Sequence, residues 1–413
     1  MKQLYSFVGA CLSAALLAAC GNGFSSSAPT SVGSQSGTQT VRSQPALVRS
    51  ETHKVGKAVE TMTYLHSFGA SGDGYAPHGP LVSVNGTLYG TTTSDNTNDN
   101  GTVYSITPSG TYSLLYSFAG SPDGSSPYAG LLAFNGTLYG TTAGGGAYGG
   151  GTVYSITPSG TESVIESFYP GSDGQTPYAN LIAVGSKFYG TTEAGGVYNA
   201  GTVFSMTASG VESVLHSFGG AGDGTNPEAP LLYSNGTLYG TTTSGGTYGG
   251  GTVFAISKSS GAETVLHSFY SSGDGSNPQY GRLALLNGTL YGTTSSAGAQ
   301  GYGTVFSISP TPSGTYTTLH NFARQTDGAY PAAGLVVNNG LLYGTTTSGG
   351  AYNHGTIYSI TPSGTETVIW AFGGSPGGSA PSDDLIVVKG TLYGTTLSGG
   401  ANNRGTVFSL LSL

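Results

Sequence analysis

Tyrosines recur at fixed positions along this chain, and their type and spacing point to binding. Tyr148, Tyr198, Tyr248, Tyr302 and Tyr352 each lie in a stretch rich in Gly and Asn. A second set, close to prolines, comprises Tyr128, Tyr178, Tyr280 and Tyr330. A tyrosine ring offers apolar area while its hydroxyl stays hydrated, which suits recognition of sugars or of protein surfaces. The alternative is that the rings pack over loop glycines and hold the loops in place.

A few acidic residues could support catalysis instead. Glu193, Glu228, Asp383 and Asp384 lie outside the repeated turns, and glycoside cleavage requires two carboxyl groups at a defined separation. Another hydrolytic signature, H-E-x-x-H, is missing from the sequence. We therefore predict no catalytic residues and keep a polysaccharide hydrolase or lyase as the alternative.

Repeated aspartates and histidines could in principle hold a metal. An Asp-Gly pair recurs at Asp73, Asp123, Asp173, Asp223, Asp274 and Asp327. Each aspartate is predicted to accept backbone N–H groups of its own turn, because calcium needs six to eight oxygens and one carboxylate per loop is too few. Another repeat position holds His66, His216, His267 and His320, predicted as surface residues on separate outer strands. Neither a metal nor a cofactor site is predicted.

The elements that carry these residues are repeats of about fifty residues. The sequence LYGTT, or a close variant, begins at Leu88, Leu138, Phe188, Leu238, Leu290, Leu342 and Leu392, and GTV or GTI follows in every copy. A fixed period of this length indicates a solenoid, a propeller or a domain array. Since 28 Tyr and 15 Phe recur at repeat positions, we expect an ordered β protein whose 72 glycines serve its turns.

Each repeat divides into four candidate strands. In the second copy they are residues 130–134, 137–142, 152–157 and 162–168, rich in β-branched and aromatic residues. Asn135-Gly136 joins the first two as a tight hairpin turn, and Pro158-Ser159-Gly160 turns the chain before the fourth. Four antiparallel strands per fifty residues predict an all-β, seven-bladed β-propeller. The long, variable loops, which hold the tyrosines, are expected on one face, and function is most plausible there.

The ends of the repeat region predict how the ring closes. Residues 61–68, TMTYLHSF, match the fourth strand of other copies but precede the first LYGTT, while the last copy stops after its third strand. The N-terminal strand is therefore predicted to complete the last blade, which removes an exposed edge. We assign residues 61–413 to a propeller that is predicted to be monomeric.

Charge argues against nucleic acid as a partner. Charged residues make up 7% of the chain and its formal net charge is −8. Nucleic-acid binding requires clustered cations that displace phosphate counterions, and just six Lys or Arg residues follow residue 60.

The first sixty residues predict export. Residues 1–20 form a short apolar segment after Lys2, typical of a signal peptide rather than a membrane span. Its ending, Leu17-Ala18-Ala19-Cys20, resembles the bacterial lipobox, and the resemblance implies that Cys20 becomes a lipid anchor, with secretion as the alternative. Asn22 stands where an aspartate would imply inner-membrane retention, so the resemblance implies the outer membrane or cell surface. Residues 21–60, rich in Ser, Gly and Thr, are predicted to form a flexible linker.

The repeats themselves resemble the GloVer tandem repeats of exported bacterial proteins. LYGTT, a Gly-rich loop and then GTVF or GTVY carry the resemblance, which covers essentially all of residues 61–413. It implies a surface-associated repeat protein and transfers no catalytic residues. The predicted function is a non-catalytic, surface-anchored module that binds a polysaccharide or an envelope protein, and a purely structural envelope role is a further alternative.

Overall fold

The computed structural model describes residues 43–44, 48–55, 58–270, 273–312 and 314–411, which contain strands and no helix. Seven antiparallel four-stranded sheets form the blades of a β-propeller, as predicted. The first strands of neighbouring blades are in contact and surround a central cavity of about 310 Å³. These inner strands are Val82–Val84, Leu132–Phe134, Ile182–Val184, Leu232–Ser234, Ala284–Leu286, Val336–Asn338 and Ile386–Val388.

The other three strands of each blade run outward from the first. The second strands are Thr87–Asp95, Thr137–Thr142, Lys187–Thr192, Thr237–Thr242, Thr289–Thr294, Leu341–Thr346 and Thr391–Thr396. The third strands are Thr102–Ile106, Thr152–Ile156, Thr202–Thr207, Thr252–Ser257, Thr304–Ile308, Thr356–Ile360 and Thr406–Leu411. The outer strands of blades 1 to 6 are Tyr112–Ser117, Glu162–Ser167, Glu212–Ser217, Glu263–Ser268, Tyr316–Asn321 and Glu366–Ala371.

The tight turn between the first two strands has the backbone conformation that its sequence predicts. Asn135 has a φ of 49° and Gly136 a φ of 80°, so both central residues lie in the left-handed region that a two-residue hairpin of this type requires. Asparagine and glycine adopt this region at low cost. The joint between these strands is accordingly short in every blade, as expected.

The N-terminal strand closes the ring. Ala58–Ser67 pairs antiparallel with Thr406–Leu411 and supplies the outer strand of blade 7, which confirms the prediction. Its register shifts between Tyr64 and His66, as it does between Val153 and Tyr154 in blade 2. The closing strand therefore reproduces the bulge of a covalently continuous blade.

Strand structure extends further towards the N-terminus than the sequence predicted. Arg49–Val55 pairs with Ala58–Ser67 as a fifth strand on blade 7, and Ser43–Gln44 pairs with the outer strand of blade 1. The assignment of all of residues 21–60 to a linker is therefore wrong at its end. An outer strand presents unpaired backbone groups that recruit another strand, and this segment carries Thr52, Val55 and Val59, which favour strands. Residues 1–42, with the predicted signal peptide and Cys20, lie outside the described residues.

Blades are held together by a repeated aromatic contact. The Phe that follows each outer strand packs against an aromatic ring on the third strand of the next blade, as Phe118 does on Tyr154 with ring centroids 5.0 Å apart. The same contact joins blade 6 to blade 7 through Phe372 and Phe408, and blade 7 to blade 1 through Phe68 and Tyr104. Burying such rings stabilises the junctions, so the closing junctions resemble the internal ones.

The signature LYGTT builds this framework. A Cβ on Gly140 would lie 2.5 Å from the Tyr154 hydroxyl oxygen, so the glycine leaves room for that buried ring. Thr142 Oγ1 lies 2.8 Å from Thr152 Oγ1 and closes the base of the following loop. Thr141 Oγ1 donates to the Ala179 carbonyl oxygen of the next blade, 3.3 Å away. The most repeated residues are thus structural.

Candidate functional site

The long loops meet on one face of the propeller, as predicted. The loop that enters blade 2 and the loop between its second and third strands pair through Ser125 and Gly144. Equivalent short ladders join these loops in blades 4 and 7. We call this side of the ring the loop face.

Four tyrosines on the loop face are exposed at one repeat position, and we call them the loop tyrosines. Tyr148, Tyr198, Tyr248 and Tyr352 are 58%, 60%, 62% and 62% exposed. Tyr148 packs edge to face on Tyr169, with ring centroids 5.2 Å apart, and Tyr248 does the same on Tyr270. Tyr198 also lies against a loop glycine, Gly219, so the alternative in which these rings pack over loop glycines and hold the loops stays a prediction.

Tyr302 lies in a different environment from the loop tyrosines. Gln300 occupies their repeat position in blade 5, and Tyr302 lies two residues further on. Its half-buried ring packs at 5.7 Å from the Tyr330 centroid, with the Arg324 guanidinium carbon 5.7 Å from its own centroid. Tyr302 is therefore less exposed than the loop tyrosines, because the blade 5 loop has its tyrosine displaced by two positions.

A second group of side chains converges on the propeller axis, and we call it the axial cluster. His78, Tyr128, Tyr178, Glu228 and Tyr280 come from five different blades. His78 packs edge to face on Tyr128 at 5.1 Å and on Tyr280 at 5.4 Å, and Tyr128 packs on Tyr178 at 4.9 Å. Of the predicted tyrosines, Tyr128 and Tyr178 belong here and not with the loop tyrosines.

His78 is the best-oriented side chain of the axial cluster. Its Nδ1 lies 3.3 Å from the Tyr128 carbonyl oxygen and 3.4 Å from Asp383 Oδ1. A carbonyl oxygen only accepts, so Nδ1 carries a proton and a neutral ring leaves Nε2 as an acceptor. Asp383 is held in turn by Thr395 Oγ1, which donates to its Oδ2 at 3.0 Å.

Two carboxyl groups near the axis have raised pKa values. Burial raises the pKa of Glu228 to about 7, and the nearby negative charge of Glu193 adds to the effect. Glu228 Oε2 is buried and has no hydrogen-bond partner among the described residues. Burial also raises the pKa of Asp384 to about 6, although the Arg282 guanidinium opposes the shift. The space between the side chains of the axial cluster is about 20 Å³, roughly one water molecule.

Five of the six aspartates of the Asp-Gly loops bind their own turns, as predicted. Asp123 accepts from the backbone N–H groups of Ala119 and Gly124 at 2.8 and 2.7 Å. These five also accept from the side chain seven residues earlier on the outer strand, as Asp73 does from His66 Nε2 at 2.9 Å, whereas Asp173 accepts from the Ser172 hydroxyl. The four repeated histidines are half-buried partners of these aspartates, not simply surface residues.

A glutamate from the next blade joins several of these pairs. Burial, with the adjacent aspartate of the preceding loop, raises the pKa to about 7 for Glu162, Glu212, Glu263 and Glu366. Each has one buried Oε1 without a hydrogen-bond partner among the described residues. At one junction the ligand atoms of His216, Asp223 and Glu263 lie within 4.8 Å of one another. The His216–Asp223 hydrogen bond of 3.0 Å accounts for two members, and we assign no metal.

Sequence reasoning missed the convergence of His78, Glu228, Tyr280 and Ser382 on one point. The signal was present, because in most blades the inward-facing residue directly follows a proline, as Tyr128 follows Pro127. The predicted candidate acids divide between two places around the axis: Glu193 next to Glu228, and Asp383 next to Asp384. Cys20 lies outside the described residues.

Comparisons with known proteins define the family and the fold. The profile described as the Gloeobacter/Verrucomicrobia repeat matches residues 51–146, 132–349 and 285–412. No curated protein sequence matches the chain significantly. No helix among the described residues is long and apolar enough to cross a membrane.

Solved structures similar to the chain include three hydrolytic propeller proteins. A puromycin-hydrolyzing peptidase of Mycobacterium tuberculosis is 9% identical with a TM-score of 0.53, over 81% of this chain and 51% of that one. A putative 6-phosphogluconolactonase of Bacteroides uniformis is 14% identical with a TM-score of 0.48, over 77% of this chain and 93% of that one. A gluconolactonase of Xanthomonas campestris is 12% identical with a TM-score of 0.44, over 91% of this chain and 98% of that one. The peptidase alone of these three has a TM-score above 0.5, and at 9% identity it supports the fold alone.

Proposed function

The chain belongs to the Gloeobacter/Verrucomicrobia repeat family, and we propose that it is a non-catalytic module that binds a glycan through its loop face. The exposure of the loop tyrosines carries the proposal. Four rings at one repeat position, each about 60% exposed, form repeated apolar platforms with a hydroxyl at one edge. Platforms of this kind stack on sugar rings, whose faces are apolar and whose edges are polar.

The charge of the loop face favours a neutral glycan over an anionic one. Arg324 and Arg404 are among the few cations there, and each lies over a ring, Tyr302 and Tyr75 respectively. A protein partner is the second possibility for the same surface, since exposed tyrosines also serve protein interfaces.

Binding of the full-length chain, purified in detergent, to a panel of neutral and anionic polysaccharides tests this proposal. We expect saturable binding, weakened at least tenfold when Tyr148, Tyr198 and Tyr248 are all replaced by Ala, because aromatic anchors dominate such interfaces. Replacing the half-buried Tyr302 by Phe is the matched control and should leave binding unchanged. Binding that survives the triple substitution would place the site elsewhere on the molecule.

A polysaccharide hydrolase or lyase is the second candidate, favoured by the Glu193–Glu228 pair. Glu228, with a pKa of about 7, could donate a proton near neutrality, and Glu193, whose pKa is also raised by burial, would be the second carboxyl group of the pair. The space of about 20 Å³ beside Glu228 holds no sugar ring in this conformation, so binding ranks first. Release of reducing ends by the wild type, abolished in Glu228→Gln, would reverse that order.

Anchoring at the cell envelope belongs to the same proposal. The lipobox-like ending at Cys20 supports attachment of a lipid there, with residues 21–42 as part of the tether. Metabolic labelling with a fatty-acid analogue should label the wild type and leave Cys20→Ser unlabelled. Equal labelling of both proteins would refute lipid attachment at Cys20 and would leave the proposed glycan binding unaffected.

A further inference from the structure

A depression of about 450 Å³ opens on the loop face beside the axial cluster. It lies where two neighbouring blades present small residues towards the axis. Ala332 and Ser382 occupy the position that is filled in other blades by His78, Tyr128 or Tyr178. The missing side chains create the space. Its volume lies within the range of small-molecule sites, roughly 300–1,000 Å³.

The depression contains a buried hydroxyl group that lacks a partner. Ser382 is 4% exposed, and its Oγ has no hydrogen-bond partner among the described residues. A buried polar group that is left unpaired destabilises the protein, and a ligand hydroxyl would supply the missing hydrogen bond. Ser382 borders both this depression and the axial cluster, so its hydroxyl lies where a ligand would contact both.

The remaining walls combine aromatic, amide and hydroxyl groups. Tyr280 and Tyr330 supply apolar area, while Gln279 and Ser296 supply neutral polar groups. His78 contributes an imidazole whose Nδ1 is held by Tyr128 and Asp383, which leaves Nε2 to accept from a ligand hydroxyl. Asp, Glu, Lys and Arg are missing from this lining, and the imidazole of His78, which already faces Asp383, is the one group there that could carry a positive charge.

We propose that this depression binds a single neutral sugar ring, the end of the glycan that the loop tyrosines hold. The inference rests on the proposed glycan-binding function and narrows its ligand to a neutral sugar. A sugar matches the site because one face can pack on a tyrosine while its hydroxyls pair with the serine, amide and imidazole groups. An anionic sugar is disfavoured because it would lose hydration without meeting a cation.

Replacing Ala332 by tyrosine tests the inference, because a tyrosine ring would fill the depression and tyrosine occupies the equivalent position in two other blades. Titration calorimetry of the full-length chain in detergent would measure glucose, galactose, mannose and N-acetylglucosamine, with glucuronate and glucosamine as charged comparators. We expect at least one neutral sugar to bind, Ala332→Tyr to weaken it at least tenfold, and Ser382→Ala to weaken it several-fold. Ala208→Tyr, which adds the same ring in an exposed turn on the opposite face, is the matched control and should bind as the wild type does.

Three outcomes would overturn the inference: Ala332→Tyr binding as tightly as wild type, preference for a charged sugar, or no free sugar bound while a polysaccharide still binds through the loop tyrosines. The last outcome leaves the proposed function standing. Conversely, polysaccharide binding that survives the triple tyrosine substitution, with a neutral free sugar still bound at the depression, would overturn the proposed function alone. If Ala332→Tyr unfolds, as circular dichroism would show, Ser382→Ala and His78→Gln decide, and unchanged binding in both would refute the site.

Discussion

The loop tyrosines and the axial cluster share one face of the ring but differ in how the repeats supply them. Four blades place the same exposed tyrosine at one position, and the result is a set of equivalent platforms. At the axis, equivalent positions carry His78, Tyr128, Glu228, Ala332 and Ser382, and the result is a single asymmetric site. Repetition suits a polymer with many similar units, whereas divergence at one position suits a ligand that is bound once.

The two regions also depend differently on ring closure. Two of the loop tyrosines rest on a ring of their own blade, as Tyr148 does on Tyr169 and Tyr248 does on Tyr270. The axial cluster exists only when all blades surround the axis. The following predictions use this difference, from the largest expected effect to the smallest.

Removing the closing strand should produce the largest difference between the axial cluster and the loop tyrosines. A chain that starts at Phe68 loses Met62, Tyr64 and Leu65, which are at most 2% exposed, and each buried side chain contributes about 2–5 kcal/mol. We expect the free energy of unfolding to fall by about 5 kcal/mol or more and free-sugar binding at the axis to disappear. Chemical denaturation measures the first effect, and a chain that starts at Ala58 is the control. An unchanged transition would contradict closure by this strand.

Replacing a glycine of the LYGTT signature should lower the stability of the blade without changing the affinity for a glycan. Gly140→Ala places a Cβ 2.5 Å from the Tyr154 hydroxyl, and overpacking of this kind costs about 1–3 kcal/mol. We expect a lower Tm with unchanged glycan affinity in the folded protein, measured at a temperature well below the transition. If the folded variant bound the glycan more weakly than the wild type, the blade interior would influence the loop face.

Stability should fall as the pH rises from about 5 to about 8. Glu162, Glu212, Glu263 and Glu366 have pKa values of about 7 when folded, above the value near 4.3 of an unfolded chain. Between these values the folded state binds more protons than the unfolded state, so the stability present at low pH is lost as pH passes 7. The fourfold Glu→Gln variant should show a flatter Tm profile. A wild-type Tm that rises across this range would contradict the prediction.

A single loop tyrosine should have the smallest effect. Tyr148→Ala removes an exposed ring, so stability should change by less than about 0.5 kcal/mol. Polysaccharide binding should weaken only a few-fold because the remaining platforms still engage the polymer. A loss as large as in the triple variant would mean that Tyr148 forms a site of its own, and the distinction between repeated platforms and a single axial site would fail.

The sequence predicted the blade because its strongest signals are local. Asn135-Gly136 specifies a turn through its own backbone preferences, and the LYGTT repeats mark where each blade begins again. The match of residues 61–68 to an outer strand predicted closure for the same reason. The strand at Arg49–Val55 was missed because its sequence is polar and its pairing depends on the edge that the closed ring presents.

The site was predicted only in part because its members are about fifty residues apart. Local context identified tyrosines in loops, but it did not separate the exposed Tyr148 from the half-buried Tyr302, which differ by a two-residue displacement within the loop. It recognised Tyr128 and Tyr178 as a separate set near prolines, but it did not predict that they pack together at the axis.

By itself, the sequence determined a seven-bladed ring, its closure and the face that carries its long loops, because a periodic pattern repeats the same local interactions in each blade. Tertiary structure alone decided which side chains meet. Rotation around the ring brings the inward-facing residue of each blade to one axis, where His78 contacts Tyr128 and Tyr280. The depression beside Ala332 is likewise a tertiary property, since a space exists only where all the surrounding blades leave it unfilled.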